Sequence, residues 1–172
     1  ERYSLELEAL TPIGAEIVEV SGTTEEEFIA GAKDADALIT SWGIRISENI
    51  INQLDKCVVI GVGSVGVDMV DVEAATRAGI VVTNVPDVFI EEVADHTMML
   101  LLGASRRVKL MDQMVAKGDW FPGRPVFNDI PRLWGQTLGL LSFGNVARAV
   151  ARRAKPFGFH LIAHDPYVTE LK

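Results

Sequence analysis

The sequence predicts an α/β fold with parallel strands, and three observations predict it. Short apolar runs alternate with helical patterns along most of the chain. One helical pattern opens on a cap at Thr23-Thr24, and two close on glycine, at Gly79 and Gly118. Two glycine-rich turns each follow an apolar run directly. Strands separated by helices imply a parallel sheet with helices covering both faces.

Glu1 to Leu10 reads as a helix, with Leu5, Leu7 and Leu10 loosely on one side. Ala15 to Val20 reads as the first strand. A doubly wound domain opens on a strand, so this order predicts a strand missing ahead of Glu1. Thr23-Thr24-Glu25-Glu26-Glu27 supplies a cap and first-turn acids for a helix to about Ala32. Ala37 to Thr40 follows as a short strand, then Ser47 to Leu54 as a short helix. Val58 to Ile60 is a strand, Asp71 to Ala78 a helix ended by Gly79, and Ile80 to Thr83 another strand.

From Ile90 to about Lys117 the pattern lengthens into one helix. Val93, Thr97, Leu100, Leu101, Ala104, Val108 and Met111 recur there at helical spacing, and Gly118 stops it. Asp119 to Gly135 is rich in Trp, Pro and Gly and reads as irregular. It is either an arm against a partner subunit or a surface loop. After Gln136 come strand Thr137 to Leu141, helix Val146 to about Ala154, and strand His160 to Ala163. The change from short to long elements places a domain boundary near Ile90, dividing residues 1–89 from 90–172.

Composition narrows the function. The 172 residues carry a net charge of −8, with 48% hydrophobic and 23% charged residues. That field opposes a phosphate backbone or an anionic membrane, so neither is expected as a partner. The single cysteine, Cys57, lies in an apolar run with no second Cys or nearby His, which reads as a buried thiol rather than a ligand or nucleophile. No metal site is read. The longest apolar stretch, Met98 to Gly103, is too short to span a bilayer, and no signal peptide is visible. The expected location is the cytoplasm.

Two glycine turns compete for a dinucleotide. Gly61-Val62-Gly63-Ser64-Val65-Gly66 matches G-x-G-x-x-G directly after a strand. However, Val65, Val67, Val70 and Val72 crowd the place where a helix should open, and the next strand ends Val82-Thr83-Asn84 without a carboxylate. This match reads as a decoy. The second turn, Ser142-Phe143-Gly144-Asn145-Val146-Ala147, fails the motif at Ser142 yet has the right context. A strand precedes it, a helix follows, and the next strand ends at Asp165, twenty-one residues after Gly144. Gly144 permits backbone approach to a pyrophosphate, and Asp165 suits the ribose hydroxyls. Asp165 also repels a 2′-phosphate, which selects NAD over NADP. The competing reading of Asp165 is a cap on the turn before Pro166. Ser142 must fit where glycine normally makes the tight turn, at a cost to affinity.

Several blocks in order then resemble the D-2-hydroxyacid dehydrogenases. They are Val65-Gly66-Val67-Asp68, Asn84-Val85-Pro86, Glu92-Val93-Ala94-Asp95-His96-Thr97, Arg106-Arg107, Trp134-Gly135-Gln136-Thr137-Leu138-Gly139 and Asp165-Pro166-Tyr167. The resemblance implies a flavodoxin-like substrate domain, incomplete here, a linking helix, and the first part of a Rossmann NAD domain. It also implies that the amides of Ser64, Val65 and Gly66 hold the substrate carboxylate. Val65, Thr97, Ser142, Gly144, Asn145, Val146, Asp165 and Pro166 are the expected cofactor positions. The family often has Arg where this chain has Val62, Asn at Met69, and Gly at Ser64 and Ser142.

The implied reaction interconverts a 2-hydroxy acid and its 2-keto acid, phosphoglycerate being suggested by family frequency alone. The family's catalytic Arg, Glu and His are expected beyond Lys172, so none is assigned here and residues 1–172 alone are expected to be inactive. His96, within the long helix, is expected to be packed or hydrogen-bonded. A homodimer is expected. An NAD-sensing regulator on the same fold, and a domain that has lost NAD through Ser142, remain as alternatives.

Overall fold

The computed structural model describes residues 3–121 and 124–168. The chain divides into two compact units, Glu1–Pro86 and Asp87–Lys172.

The first unit is built on a three-stranded parallel sheet in the order β1 (Ala37–Thr40), β2 (Val59–Val62), β3 (Val81–Asn84). Leu38, Ile60 and Val82 pair across the ladder and share one face. On that face Leu38, Ile60 and Val62 are buried with Ile46, Ile50, Ile51, Val70, Ala74 and Ala75 in one core. Its helices are α1 (Ser4–Leu10), α2 (Glu25–Ala32), α3 (Glu48–Ile51) and α4 (Val72–Arg77).

The helix starts follow their capping chemistry. The Thr24 hydroxyl accepts from the Glu27 amide, while the Glu27 carboxylate accepts from the Thr23 amide at 2.8 Å. Ser47 caps α3 and also donates to Glu25 at 2.6 Å, where Asn49 adds a second bond at 2.7 Å. Those two donors hold the Glu25 carboxyl below its usual range and tie α2 to α3. Asp71 caps α4 by accepting from the Ala74 amide at 2.9 Å.

The second unit has a two-stranded parallel sheet, β4 (Thr137–Leu141) against β5 (His160–His164). Leu138, Leu140 and Leu161 face a core formed by Ala94 and Met98 of α5 (Ile90–Ser105) and Ala149, Val150 and Ala154 of α7 (Asn145–Ala154). Small residues at this contact let the two helices approach closely. Arg153 of α7 binds Glu91 and Asp95 of α5, each at 2.6 Å, and Arg152 binds Glu91 at 2.9 Å.

Four expectations need correction. Residues 15–20 form no strand: a strand exists through its ladder, and no strand lies beside them among the described residues. Val20 instead packs on the core beside Gly31. The long helix is two helices, because Arg107 takes a left-handed conformation (φ +54°) between α5 and α6 (Val108–Lys117). Each sheet is covered on one face among the described residues, leaving Ile39 and Val81 exposed on one and Leu141 and Ile162 on the other. His96, expected to be packed or hydrogen-bonded, is exposed, and its side chain makes no hydrogen bond to a described residue.

The irregular stretch after Gly118 includes a short 3-10 turn at Arg124–Phe127, with the Phe127 ring 5.7 Å from that of Trp120. The expected opening at Glu1 lies outside the described residues. No helix among the described residues is long and apolar enough to cross a membrane.

Candidate functional site

In the first unit, the perfect glycine motif does not open a helix. Gly61 lies within β2, and the next helix starts only at Val72, beyond a parallel bridge between Ile46 and Val70. The loop at Ser64, Val65 and Gly66 instead has an uneven hydrogen-bond balance. All three carbonyls are used: Ser64 O accepts from the Val85 amide at 3.2 Å, Val65 O from Asn84 Nδ2 at 2.7 Å, and Gly66 O from Ser64 Oγ at 2.8 Å. None of the three amides donates to any group among the described residues.

Val65 and Gly66 are exposed and Ser64 is half-buried, so the loop lies at the surface. Three successive free N–H groups beside satisfied carbonyls make an electropositive patch from backbone alone. It can hold one small anion. Asn84, nineteen residues away, is a positioning residue; the sequence placed it in the resembling Asn84-Val85-Pro86 block without giving it a role.

In the second unit, β4 leads through Ser142-Phe143-Gly144 into α7. Ser142 adopts φ +76°, the left-handed conformation that a glycine would take without strain. The amides of Gly144, Asn145, Val146 and Ala147 donate to no group among the described residues, and no side chain caps the helix. A Cβ built on Gly144 would meet nothing within 4 Å. This uncapped start offers donors and the positive end of a helix dipole to an anion in open space.

Asp165 closes the site from the end of β5. Its Oδ2 accepts from the Phe143 amide at 2.7 Å and from Ser142 Oγ at 3.4 Å, and its Oδ1 accepts from the Tyr167 amide at 2.8 Å. The Phe143 and Tyr167 amides hold this carboxyl below the usual range. The turn-capping reading of Asp165 is therefore real, and it leaves an ionised carboxylate fixed beside the glycine turn.

Arg148 adds to this turn. Its Nε donates to Phe143 O at 3.0 Å and its guanidinium lies over the Phe143 ring. Asn145 Nδ2 donates to Asp87 at 3.2 Å.

The remaining expected positions are less engaged. Thr97 is exposed on α5 and its hydroxyl donates back to Val93 O at 2.7 Å. Val146 and Pro166 make no side-chain hydrogen bond, and Pro166 is exposed. Burial pushes the Cys57 thiol up, which makes it a poor nucleophile. None of the three histidines bonds a carboxylate among the described residues, so no acid–base pair is present there. No group of three His, Cys, Asp or Glu residues able to hold a metal occurs among the described residues.

Known proteins resemble this chain in sequence and fold. The catalytic-domain profile described as "D-isomer specific 2-hydroxyacid dehydrogenase" matches residues 3–170. A D-3-phosphoglycerate dehydrogenase of Methanocaldococcus jannaschii is 40% identical over 89% of this chain and 29% of its own length. A glyoxylate reductase of Pyrococcus furiosus is 37% identical over 81% of this chain and 43% of its own. Among solved structures, a D-lactate dehydrogenase of Aquifex aeolicus complexed with NAD and lactic acid superposes with a TM-score of 0.81. It is 26% identical and covers 96% of this chain and 49% of its own. The chain thus spans less than half the length of these relatives.

Proposed function

Because the chain belongs to the D-isomer specific 2-hydroxyacid dehydrogenase family, we propose that the protein interconverts a D-2-hydroxy acid and its 2-keto acid with NAD. The observation that carries this reading is the head of α7, where four unpartnered amides stand with Asp165 at the end of the adjoining strand.

Those residues fit a dinucleotide. The amides of Gly144, Asn145 and Val146 would hold its pyrophosphate, with Asp165 and Pro166 at the adenosine ribose and Ser142 in the turn beside them. Thr97 and Val65 are the further positions assigned to the cofactor. The ionised Asp165 disfavours a 2′-phosphate, so NAD is preferred to NADP.

NAD held there would supply the hydride acceptor for oxidation at C2, the overall products being a 2-keto acid, NADH and H⁺. The chain's own contribution to the substrate is the loop at Ser64, Val65 and Gly66, whose free amides hold the carboxylate. Orienting the acid by backbone donors fixes its C2 without adding a competing base.

Gly144 separates this reading from a structural one. Its φ of −76° suits any residue and a Cβ there meets nothing within 4 Å, so Gly144→Ala should leave the melting temperature unchanged. Its methyl group intrudes where a pyrophosphate must approach, so NAD affinity of the complete protein should fall tenfold or more by calorimetric titration. Unchanged affinity would refute the cofactor assignment.

The same reading takes the protein as a cytoplasmic homodimer. Support comes from exposed apolar side chains on α5, α6 and the stretch after it, namely Met99, Leu100, Val108, Val115, Trp120 and Phe121.

A further inference from the structure

We propose that Arg148 is a positioning residue for the cofactor: by holding the Phe143 carbonyl, it aims the Gly144 amide into the open space where a pyrophosphate would lie. This rests on the cofactor reading above and adds to it a residue outside the glycine turn.

The peptide joining Phe143 to Gly144 is trans and planar, so its carbonyl and its N–H point in opposite directions. Whatever fixes Phe143 O therefore fixes the Gly144 donor. Glycine by itself leaves that peptide free to turn, because it accepts φ of either sign without a Cβ penalty. The missing Cβ that admits a pyrophosphate thus also leaves the donor unaimed. Asp165 does not supply the aim. Its carboxylate binds the Phe143 amide at 2.7 Å, and that N–H belongs to the preceding peptide.

Arg148 is placed to supply it. Its Nε donates to Phe143 O at 3.0 Å, and that carbonyl accepts from no other described group. The guanidinium also lies over the Phe143 ring, 5.2 Å from its centroid. Gly144 is the N-cap of α7. Phe143 and Arg148 therefore stand just before the cap and four residues after it, the two positions whose contact sets the angle at which a chain enters a helix.

Helix stability does not account for a cation there. The dipole of α7 favours cations at its other end, where Arg152 and Arg153 lie. Arg148 also meets no carboxylate among the described residues, unlike those two, which bind Glu91.

Two substitutions separate the bond from the charge. Arg148→Gln carries an amide NH₂ as far along the side chain as the arginine Nε, so it keeps a donor and deletes the charge. Arg148→Met keeps the length and deletes both. Arg, Gln and Met have similar helix propensities, so α7 should tolerate either change, and melting temperatures check this. Calorimetric titration of the complete protein with NAD should show Arg148→Met weakened at least about fivefold, the scale of one hydrogen bond. Arg148→Gln should stay within about twofold of the unsubstituted protein. KCl at about 0.5 M should leave the deficit of the Met variant in place, because salt screens charge and not direction.

Equal weakening of the two variants overturns the inference, since the charge would then be what matters. Unchanged affinity of Arg148→Met overturns it too, and Arg148→Ala serves as the donor-free variant should the Met form not fold. No binding of millimolar NAD by the unsubstituted protein overturns the cofactor reading, and this inference with it.

Discussion

Ser142 shows how one residue can satisfy a turn and strain it together. A left-handed non-glycine residue costs roughly 1–2 kcal/mol, and the hydroxyl's bond to Asp165 at 3.4 Å is too long to recover it. Ser142→Gly should therefore raise stability by about 1 kcal/mol. Thermal unfolding should show it as an increase of about 2–4 °C. A lowered melting temperature would mean that the hydroxyl contributes more than its geometry suggests. Asp165 has the firmer anchor in the Phe143 amide at 2.7 Å, so the variant should keep the carboxylate in place. The departure from the glycine pattern was visible in the sequence, as was the acid at Asp165. Their mutual contact was not, since it spans twenty-three residues and depends on how β4 and β5 pair.

Among the elements, the cap read at Thr23-Thr24 is present, with Thr24 accepting from the Glu27 amide, and the structure adds two more. Ser47 and Asp71 each accept from an amide three residues on, as residues of these types do at helix starts. Replacing Asp71 with Ala should lower stability by about 1 kcal/mol, read from a denaturant midpoint, and no change would show that the cap is redundant. Two failures have physical causes. Ala15 to Val20 has a strand-like composition, but pairing is a property of the neighbour and not of the segment. The break at Arg107 leaves the apolar spacing on either side intact, so periodicity carried no trace of one left-handed residue. By contrast the decoy at Gly61 was separable, because a crowd of valines signalled that no helix would open there.

The molecule as a whole divides its charge as it divides its chain. The acidic excess lies entirely in Glu1–Pro86, and the unit offering the uncapped helix start is slightly basic. The second unit thus carries a field in keeping with a dinucleotide diphosphate, whereas an anion at the loop of the first unit is held by local backbone donors against an acidic surround. The net figure of −8 conceals this, because an average over both units describes neither. Assembly belongs to the same scale. The apolar side chains left exposed on α5 and α6 predict a homodimer, and light scattering of the complete protein should give twice the mass of one chain. A monomer at micromolar concentration would contradict that expectation.

The loop at Ser64, Val65 and Gly66 makes its offer through main-chain N–H groups, and this governs how the site will look to genetics. Side-chain scanning should find position 65 nearly silent, since alanine retains the donor that matters, whereas alanine at 64 also loses the hydroxyl bond to Gly66 O. Proline at Val65 deletes that donor. A recognition surface of this kind can drift in sequence without losing its ligand, so residue identity there is a poor guide to whether the ligand is still bound.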